Sequence, residues 1–276
     1  KSQQEATEML SDHTASHDEP HDETVSHVHA NESHTSTDMH AEVGHADTHD
    51  NAHAEHVFHQ LQNRPWAAFY VALFFFLGIT LLVLVFYAIQ RVAQAGWSIV
   101  LFRVMEAITA NLLPVSIIMA IVVVLSAMHM NHLFPWMAEG TFDPESPKYD
   151  AIVDGKSWWL NVPGWAIRSI IYLVIWNVYR IFIRKNSIAE DVSSDRKTYM
   201  KSYNASVIFL FLFMISESMM AWDWIMGLDP HWFSTLFAWY ILATLLVSAV
   251  TVISFVTIYL RSKGYLPMVN DSHIHD

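Results

Sequence analysis

The sequence contains no cysteine, and its basic residues are few and scattered. The absence of cysteine excludes disulfides, thiolate catalysis, cysteine-ligated iron–sulfur clusters and covalent attachment of c-type haem. Only 15 lysine and arginine residues stand against 27 aspartate and glutamate residues among 276 residues, and no basic cluster forms a surface for nucleic acid. We therefore expect neither a disulfide-stabilised protein nor a nucleic-acid partner.

The acidic charge is concentrated at the N-terminus. Residues 1–60 hold 13 acidic residues and a single basic residue, Lys1, which accounts for the whole formal net charge of −12. The other 216 residues carry 14 residues of each sign and are neutral. The composition therefore predicts two parts, an acidic tail over residues 1–63 and an apolar domain over residues 64–276.

The tail is rich in Asp, Glu, Ser, Thr, Ala and His and poor in branched and aromatic residues. Such a segment cannot bury enough apolar surface to offset its chain entropy, which predicts a disordered or loosely ordered tail. Twelve of the 17 histidines lie between His13 and His59, and imidazole beside carboxylate suits zinc, copper or nickel. The spacing from His13 to His34 has no constant interval, so we favour a solvated linker over a specific metal site.

Five long apolar segments follow the tail, at about 66–89, 99–128, 163–182, 205–228 and 232–260. Each reaches the roughly 20 residues that a helix needs to cross the hydrocarbon core of a bilayer. Backbone polar groups must be satisfied inside lipid, so we predict helices rather than strands. The sequence thus predicts an all-α integral membrane protein, an antiparallel bundle of five transmembrane helices with a disordered N-terminal tail.

The distribution of lysine and arginine predicts the orientation. Most basic residues follow the first, third and fifth spans, and an excess of such residues marks the cytoplasmic side. They are Arg91, Arg184, Lys185, Arg196, Lys197, Lys201, Arg261 and Lys263, and Arg180 lies just before the group that begins at Arg184. The tail and the 130–161 loop are then periplasmic. Because the sequence begins at Lys1 without a methionine or a signal peptide, we expect further sequence upstream that exports the tail.

The turn between the fourth and fifth spans contains typical helix-end residues. Gly227 can end the fourth helix, Asp229 can cap the fifth helix, and Pro230 suits a first helical turn. We therefore predict that the fifth helix begins directly after Asp229.

Ionisable residues inside the predicted spans are the candidate functional residues. Arg103 and Glu106 share a face of the second span, Glu217 lies near the middle of the fourth span, and Asp223 lies nearer its outer end. His129 ends the second span on the same outer side. Ionisable groups at membrane depth face the bundle interior or a water path, and carboxylates and imidazole can relay protons. The alternative is a set of structural ion pairs and hydrogen bonds between helices.

Haem b would need two facing histidines at membrane depth, and no histidine lies deeper than His129. We expect no haem and no directly bound metal in this chain. Arg168 lies in the third span, about one helical turn below the outer surface.

Two runs resemble a known family: LFRVMEAITANLLPVSIIMAIVVVLSAMHMNHLFPW (Leu101–Trp136) and SESMMAWDWIMGLDPHWFSTLFAWY (Ser216–Tyr240). They are similar to the ActF-type membrane subunits of bacterial alternative complex III, within the wider NrfD/PsrC-like family of quinone-associated membrane proteins. The similarity extends from about Glu55 to Asp276. The family has about twice as many helices, in two four-helix bundles, so this chain would contain about half of its fold.

The resemblance implies a membrane subunit of a quinol:electron-acceptor (cytochrome c) oxidoreductase in the bacterial cytoplasmic membrane. It also implies which partners the chain has: an iron–sulfur subunit, a sister NrfD-like subunit, c-type cytochromes, a terminal oxidase and lipid. The iron–sulfur clusters and haem c would lie in those partners, and menaquinol or another quinol is the candidate ligand. The family's outer-side Asp and His positions match Asp223 and His129, and its proposed proton path matches Glu106 and Glu217.

Three functions remain open on the sequence alone. The first is a subunit without its own redox cofactor that supplies proton-path carboxylates and scaffolding beside quinol oxidation. The second is a purely structural anchor of the complex, and the third is a cation-coupled transporter. Transporters typically show broken helices and repeat symmetry. Pro114 in the second span is the one sign of a broken helix, and no repeat is visible.

Overall fold

The structure is a computed structural model that describes residues 42–192 and 196–275, with side chains described over 63–192 and 196–273. Most of the described residues are helical, and no strand occurs among them. By residue contacts the chain divides into two units at Ala67, and the candidate site below belongs to the second unit. The predicted disorder of residues 1–41 falls outside the described residues.

The helices follow one another along the chain. They are α1 (Glu42–Val92), α2 (Phe102–Thr109), α3 (Leu112–Ala127), the short α4 (Ala151–Asp154), α5 (Val162–Val192), α6 (Arg196–Trp224), α7 (Phe237–Ser262) and the short α8 (Asp271–His275). Three 3₁₀ segments, Gly96–Leu101, Pro135–Met137 and Met226–Leu228, connect them. The backbone is already helical from Glu42, where the composition predicted a linker.

Five stretches are long and apolar enough to cross a membrane: Asn63–Val92, Gly96–Ala127, Val162–Val192, Arg196–Leu228 and Phe237–Ser262. Large apolar side chains such as Val178, Phe211 and Phe255 lie exposed along these helices. Contiguous exposed apolar surface of this kind requires a membrane or a partner to cover it. The prediction of five helical spans is confirmed, and the chain is a multi-pass membrane protein.

The second span is interrupted between α2 and α3. Pro114 has no N–H to donate to the carbonyl of Ala110, and its ring crowds that carbonyl in a regular helix. The chain instead tightens there, with Ala110 N–H donating to the Ala107 carbonyl and Asn111 N–H to the Ile108 carbonyl, each over 3.2 Å. The second span is therefore two helices joined by a tight turn.

The predicted boundaries of the third and fourth spans were too short. Helix α5 extends to Val192 and α6 already begins at Arg196, although the hydropathy pattern ended one span at residue 182 and began the next at 205. Hydropathy detects apolar content alone. The polar helix ends form ion pairs, such as Arg91 with Glu190, that stabilise helix beyond the apolar stretch.

The predicted start of the fifth helix is wrong. Helix α7 begins at Phe237 after the N-cap residue Leu236, and Asp229 does not cap it. The Asp229 carboxylate instead accepts a hydrogen bond from His231 N–H over 3.3 Å. Trp232 and Phe233 are apolar but lie outside the helix, which is why a hydropathy pattern counted them as membrane-spanning.

Helices α5 and α6 pack antiparallel against each other. Tyr179 and Ser206 share a hydrogen bond of 2.8 Å near one end, and Trp176 Nε1 donates to Ser216 Oγ over 3.0 Å further along. At the other end, Trp165 Nε1 donates to the Asp223 carbonyl over 2.9 Å. Buried indole N–H groups need partners, so these tryptophans set the register of the two helices.

Candidate functional site

Asp223 is fully buried near the C-terminal end of α6 and is already paired. Arg168 of α5 binds both of its carboxylate oxygens, through Nη2 over 2.7 Å and through Nε over 2.9 Å. The Tyr172 hydroxyl donates a third hydrogen bond over 2.8 Å. A bidentate, charge-assisted pair of this kind is among the stronger polar contacts in proteins.

Trp159 also contacts the guanidinium of Arg168. Its Cζ lies 4.1 Å from the centroid of the Trp159 ring, and its Nη2 also donates to the Trp159 carbonyl over 3.0 Å. Sequence analysis noted the position of Arg168 but missed Tyr172 and Trp159. The usable signal was the spacing of four residues between Arg168 and Tyr172, which places both on one face of a helix.

His129 does not contribute to this carboxylate. The hydrogen bonds to the Asp223 carboxylate within the described part of the chain come from Arg168 and Tyr172. His129 is exposed, with a left-handed backbone at φ 57°. Its N–H bonds the Ser126 carbonyl over 3.0 Å, and the next N–H, of Met130, bonds the Leu125 carbonyl over 3.0 Å. This pattern is a Schellman motif, in which His129 ends helix α3.

We expect glycine at position 129 to stabilise the protein by about 0.5–1 kcal/mol, because a left-handed backbone disfavours a side chain. Thermal unfolding of the purified His129→Gly variant measures this change. A variant that unfolds at a lower temperature than the parent would contradict the role of His129 in ending the helix.

Glu106 lies at the opposite end of the bundle and is also paired. Arg103 Nη1 donates to its Oε2 over 2.6 Å, and Arg184 of α5 contacts the same oxygen. The Tyr87 hydroxyl donates to Oε1 over 3.2 Å. The sequence-based pairing of Arg103 with Glu106 is therefore present, and Arg184 adds a second cation from a different helix.

The Glu106 cluster continues into a second ion pair. Arg91, at the end of α1, binds both carboxylate oxygens of Glu190 over 2.8 and 3.0 Å and donates to the Tyr87 hydroxyl over 2.8 Å. Arg103 also contacts Asp191. A cavity of about 280 Å³ opens beside these side chains. The charges of three arginines and three carboxylates balance here, which allows them to lie near a membrane surface.

Glu217 differs from both carboxylates above. Its side chain is 2% exposed, and its buried Oε1 has no hydrogen-bond partner among the described residues. The adjacent Ser216 hydroxyl bonds Trp176 and the Phe213 carbonyl instead. Burying an unpaired carboxylate is costly, whereas a neutral carboxylic acid is tolerated at membrane depth. Of the three predicted carboxylates, Glu217 is the one without an arginine partner among the described residues.

An aromatic cavity of about 250 Å³ lies near Asp223. Its lining includes Trp158, Trp159, Trp222, Trp232, Phe233 and Lys156. Because the Trp159 ring also stacks on Arg168, an apolar molecule in this cavity would lie one side chain away from the buried ion pair. Such a cavity, mostly apolar with few polar groups, is typical of a small-molecule site.

Two loops meet beside the aromatic cavity. His231 Nε2 lies 2.5 Å from Asp150 Oδ2, and the Lys156 ammonium donates to the Pro230 carbonyl over 2.5 Å. Hydrogen bonds from the Val153 backbone N–H, from His231 and from the Ile152 backbone N–H hold the pKa of Asp150 below its ordinary value. These contacts hold the 130–161 loop against the segment that precedes α7.

Among the side chains that the structure describes, no group of three histidines or carboxylates could hold a metal ion. Neither a protein-family model nor a curated protein matches the sequence. The fold and the site define the class of the protein. It is a multi-pass helical membrane protein whose described residues include a buried ion pair at Asp223, a partly exposed charge network at Glu106, and Glu217, a buried carboxyl group without an arginine partner.

Proposed function

We propose that this chain is a membrane subunit of a quinol:electron-acceptor oxidoreductase complex, in which it carries a proton site beside quinol oxidation and binds no redox cofactor itself. The main observation that supports this proposal is the environment of Glu217. This residue is a titratable group buried at membrane depth, and its Oε1 has no hydrogen-bond partner in the described part of the chain. Intramembrane groups of this kind typically belong to proton or ion pathways.

The other two carboxylates have a supporting role in this proposal. Asp223 and Glu106 hold arginines and stabilise the two ends of the bundle. The Asp223 ion pair joins the fourth span, which carries Glu217, to the third span, and the Glu106 ion pairs join the second span to the third. The aromatic cavity beside Arg168 is the candidate place for a quinol ring or its isoprenoid chain.

The resemblance to ActF-type subunits supports the identity of the complex. It assigns the chain to the bacterial cytoplasmic membrane, with iron–sulfur and haem c subunits as partners. The absence of cysteine is consistent with redox centres held by those partners. The excess of lysine and arginine after the first, third and fifth spans supports a periplasmic tail.

A purely structural anchor is the competing function, because the two charge-paired clusters need no chemical role. The complex, purified through this chain from native membranes, should contain iron and show haem c absorbance. In that complex Glu217→Gln should leave assembly intact and lower quinol-driven turnover and proton release by about tenfold or more, since one positioned proton-transfer group contributes at least that much.

The matched control is Glu139→Gln, the same change at an exposed loop position, which should leave turnover unchanged. Normal turnover and normal proton release in the Glu217 variant would leave only the anchor function. Purified protein without iron or haem c would contradict the proposed complex itself.

A further inference from the structure

The N-terminal part of α1 carries a single histidine face. The helix begins at Glu42, and all five histidines between residues 42 and 62 lie within an arc of about 120° at ~100° per residue. These are His45, His49, His53, His56 and His59. The opposite arc holds Val43, Asp47, Asn51, Ala54 and Phe58, and no histidine.

The spacing along this face matches a known way of binding metal. His45, His49 and His53 follow one another at four-residue intervals, and His53, His56 and His59 follow at three-residue intervals. Two histidines four residues apart on one helical face can bind the same zinc ion, as in the H-x-x-x-H pattern of zinc enzymes. The backbone therefore places consecutive positions of this face about one helical turn apart.

We propose that this histidine face binds divalent metal of the zinc class, with each ion taken by two consecutive histidines. Imidazole is a ligand that zinc, copper and nickel prefer. Position 42 lies on the same arc and offers a carboxylate, and water can complete the coordination. The sequence interpretation of a solvated linker rested on the irregular spacing from His13 to His34, which precedes this helix. The proposal is independent of the proton role of Glu217.

The test separates a helical site from binding by composition alone. The full chain in detergent is titrated with zinc against a competing chromophoric chelator. A permuted variant exchanges His49 with Asn51 and His56 with Phe58, and so keeps composition, charge and histidine count. After these exchanges no two histidines of this segment lie three or four residues apart. A second variant, His49→Gln with His56→Gln, removes the same two ligands.

We expect both variants to lose affinity for the first zinc ion by about tenfold or more, because two linked ligands on one ion act at high effective concentration. Circular dichroism without metal should show equal helix content in the permuted variant and the parent. Zinc affinity in the permuted variant equal to that of the parent would overturn the proposal, since composition alone would then explain binding. Unchanged affinity in both variants would also overturn it, because the ion would bind elsewhere in the chain.

Discussion

Replacement of Asp223 by asparagine is expected to destabilise the folded protein by about 3–5 kcal/mol, the usual range when one partner of a buried ion pair is removed. The change keeps the shape of the side chain but removes its charge. Arg168, which is 16% exposed, then keeps its positive charge inside the bundle without a carboxylate. The Tyr172 hydroxyl also loses its charged acceptor.

The measurement is thermal or denaturant unfolding of the purified protein in detergent, with Asp229→Asn as the control. Asp229 is exposed, so the same change there should alter stability by no more than about 0.5 kcal/mol. A double-mutant cycle with Arg168→Met gives a sharper test. Because the Arg168 and Asp223 side chains bind each other, the double variant should lose less stability than the sum of the two single variants. Additive losses would contradict the ion pair.

Replacement of Glu106 by glutamine is expected to cost about 2–3 kcal/mol, less than the change at Asp223. It leaves Arg103 and Arg184 facing each other without the carboxylate that both contact. Both arginines are 41% exposed, so water compensates part of the loss, whereas Arg168 has little access to water.

The same unfolding assay measures this effect, with Glu145→Gln in the exposed loop as the control. The salt dependence of stability offers a second readout. The charge network at Glu106 is partly exposed and should weaken in high salt, while the buried Asp223 pair should change little. A Glu106 variant with normal stability and lost proton release would contradict the structural role and support a proton path through this residue.

Hydropathy predicted the five spans because the requirement for about 20 apolar residues is local and needs no partner helix. It treated the second span as one continuous segment, whereas the structure divides that span into α2 and α3 just before Pro114. The predicted boundaries of the helices were less accurate. The start of α7 at Phe237 was missed because Trp232 and Phe233 satisfy an apolar criterion without being helical.

The candidate carboxylates could be predicted from the sequence, but their partners could not. Asp223, Glu217 and Glu106 were all chosen for the same reason, a carboxylate inside an apolar helix. The structure separates them, because Asp223 and Glu106 have arginine partners and Glu217 has none at Oε1. Arg168 is 55 residues from Asp223, and Arg184 is 78 residues from Glu106.

The sequence by itself determined that the chain crosses the membrane as five helices and that its polar residues lie at membrane depth. Only the tertiary structure decided which of the candidate carboxylates pair with arginine and which one, Glu217, has no arginine partner among the described residues. The physical reason is that crossing a bilayer depends on the composition of each segment. Pairing depends on the register between helices, which buried contacts such as Trp165 with the Asp223 carbonyl set and which no local pattern contains.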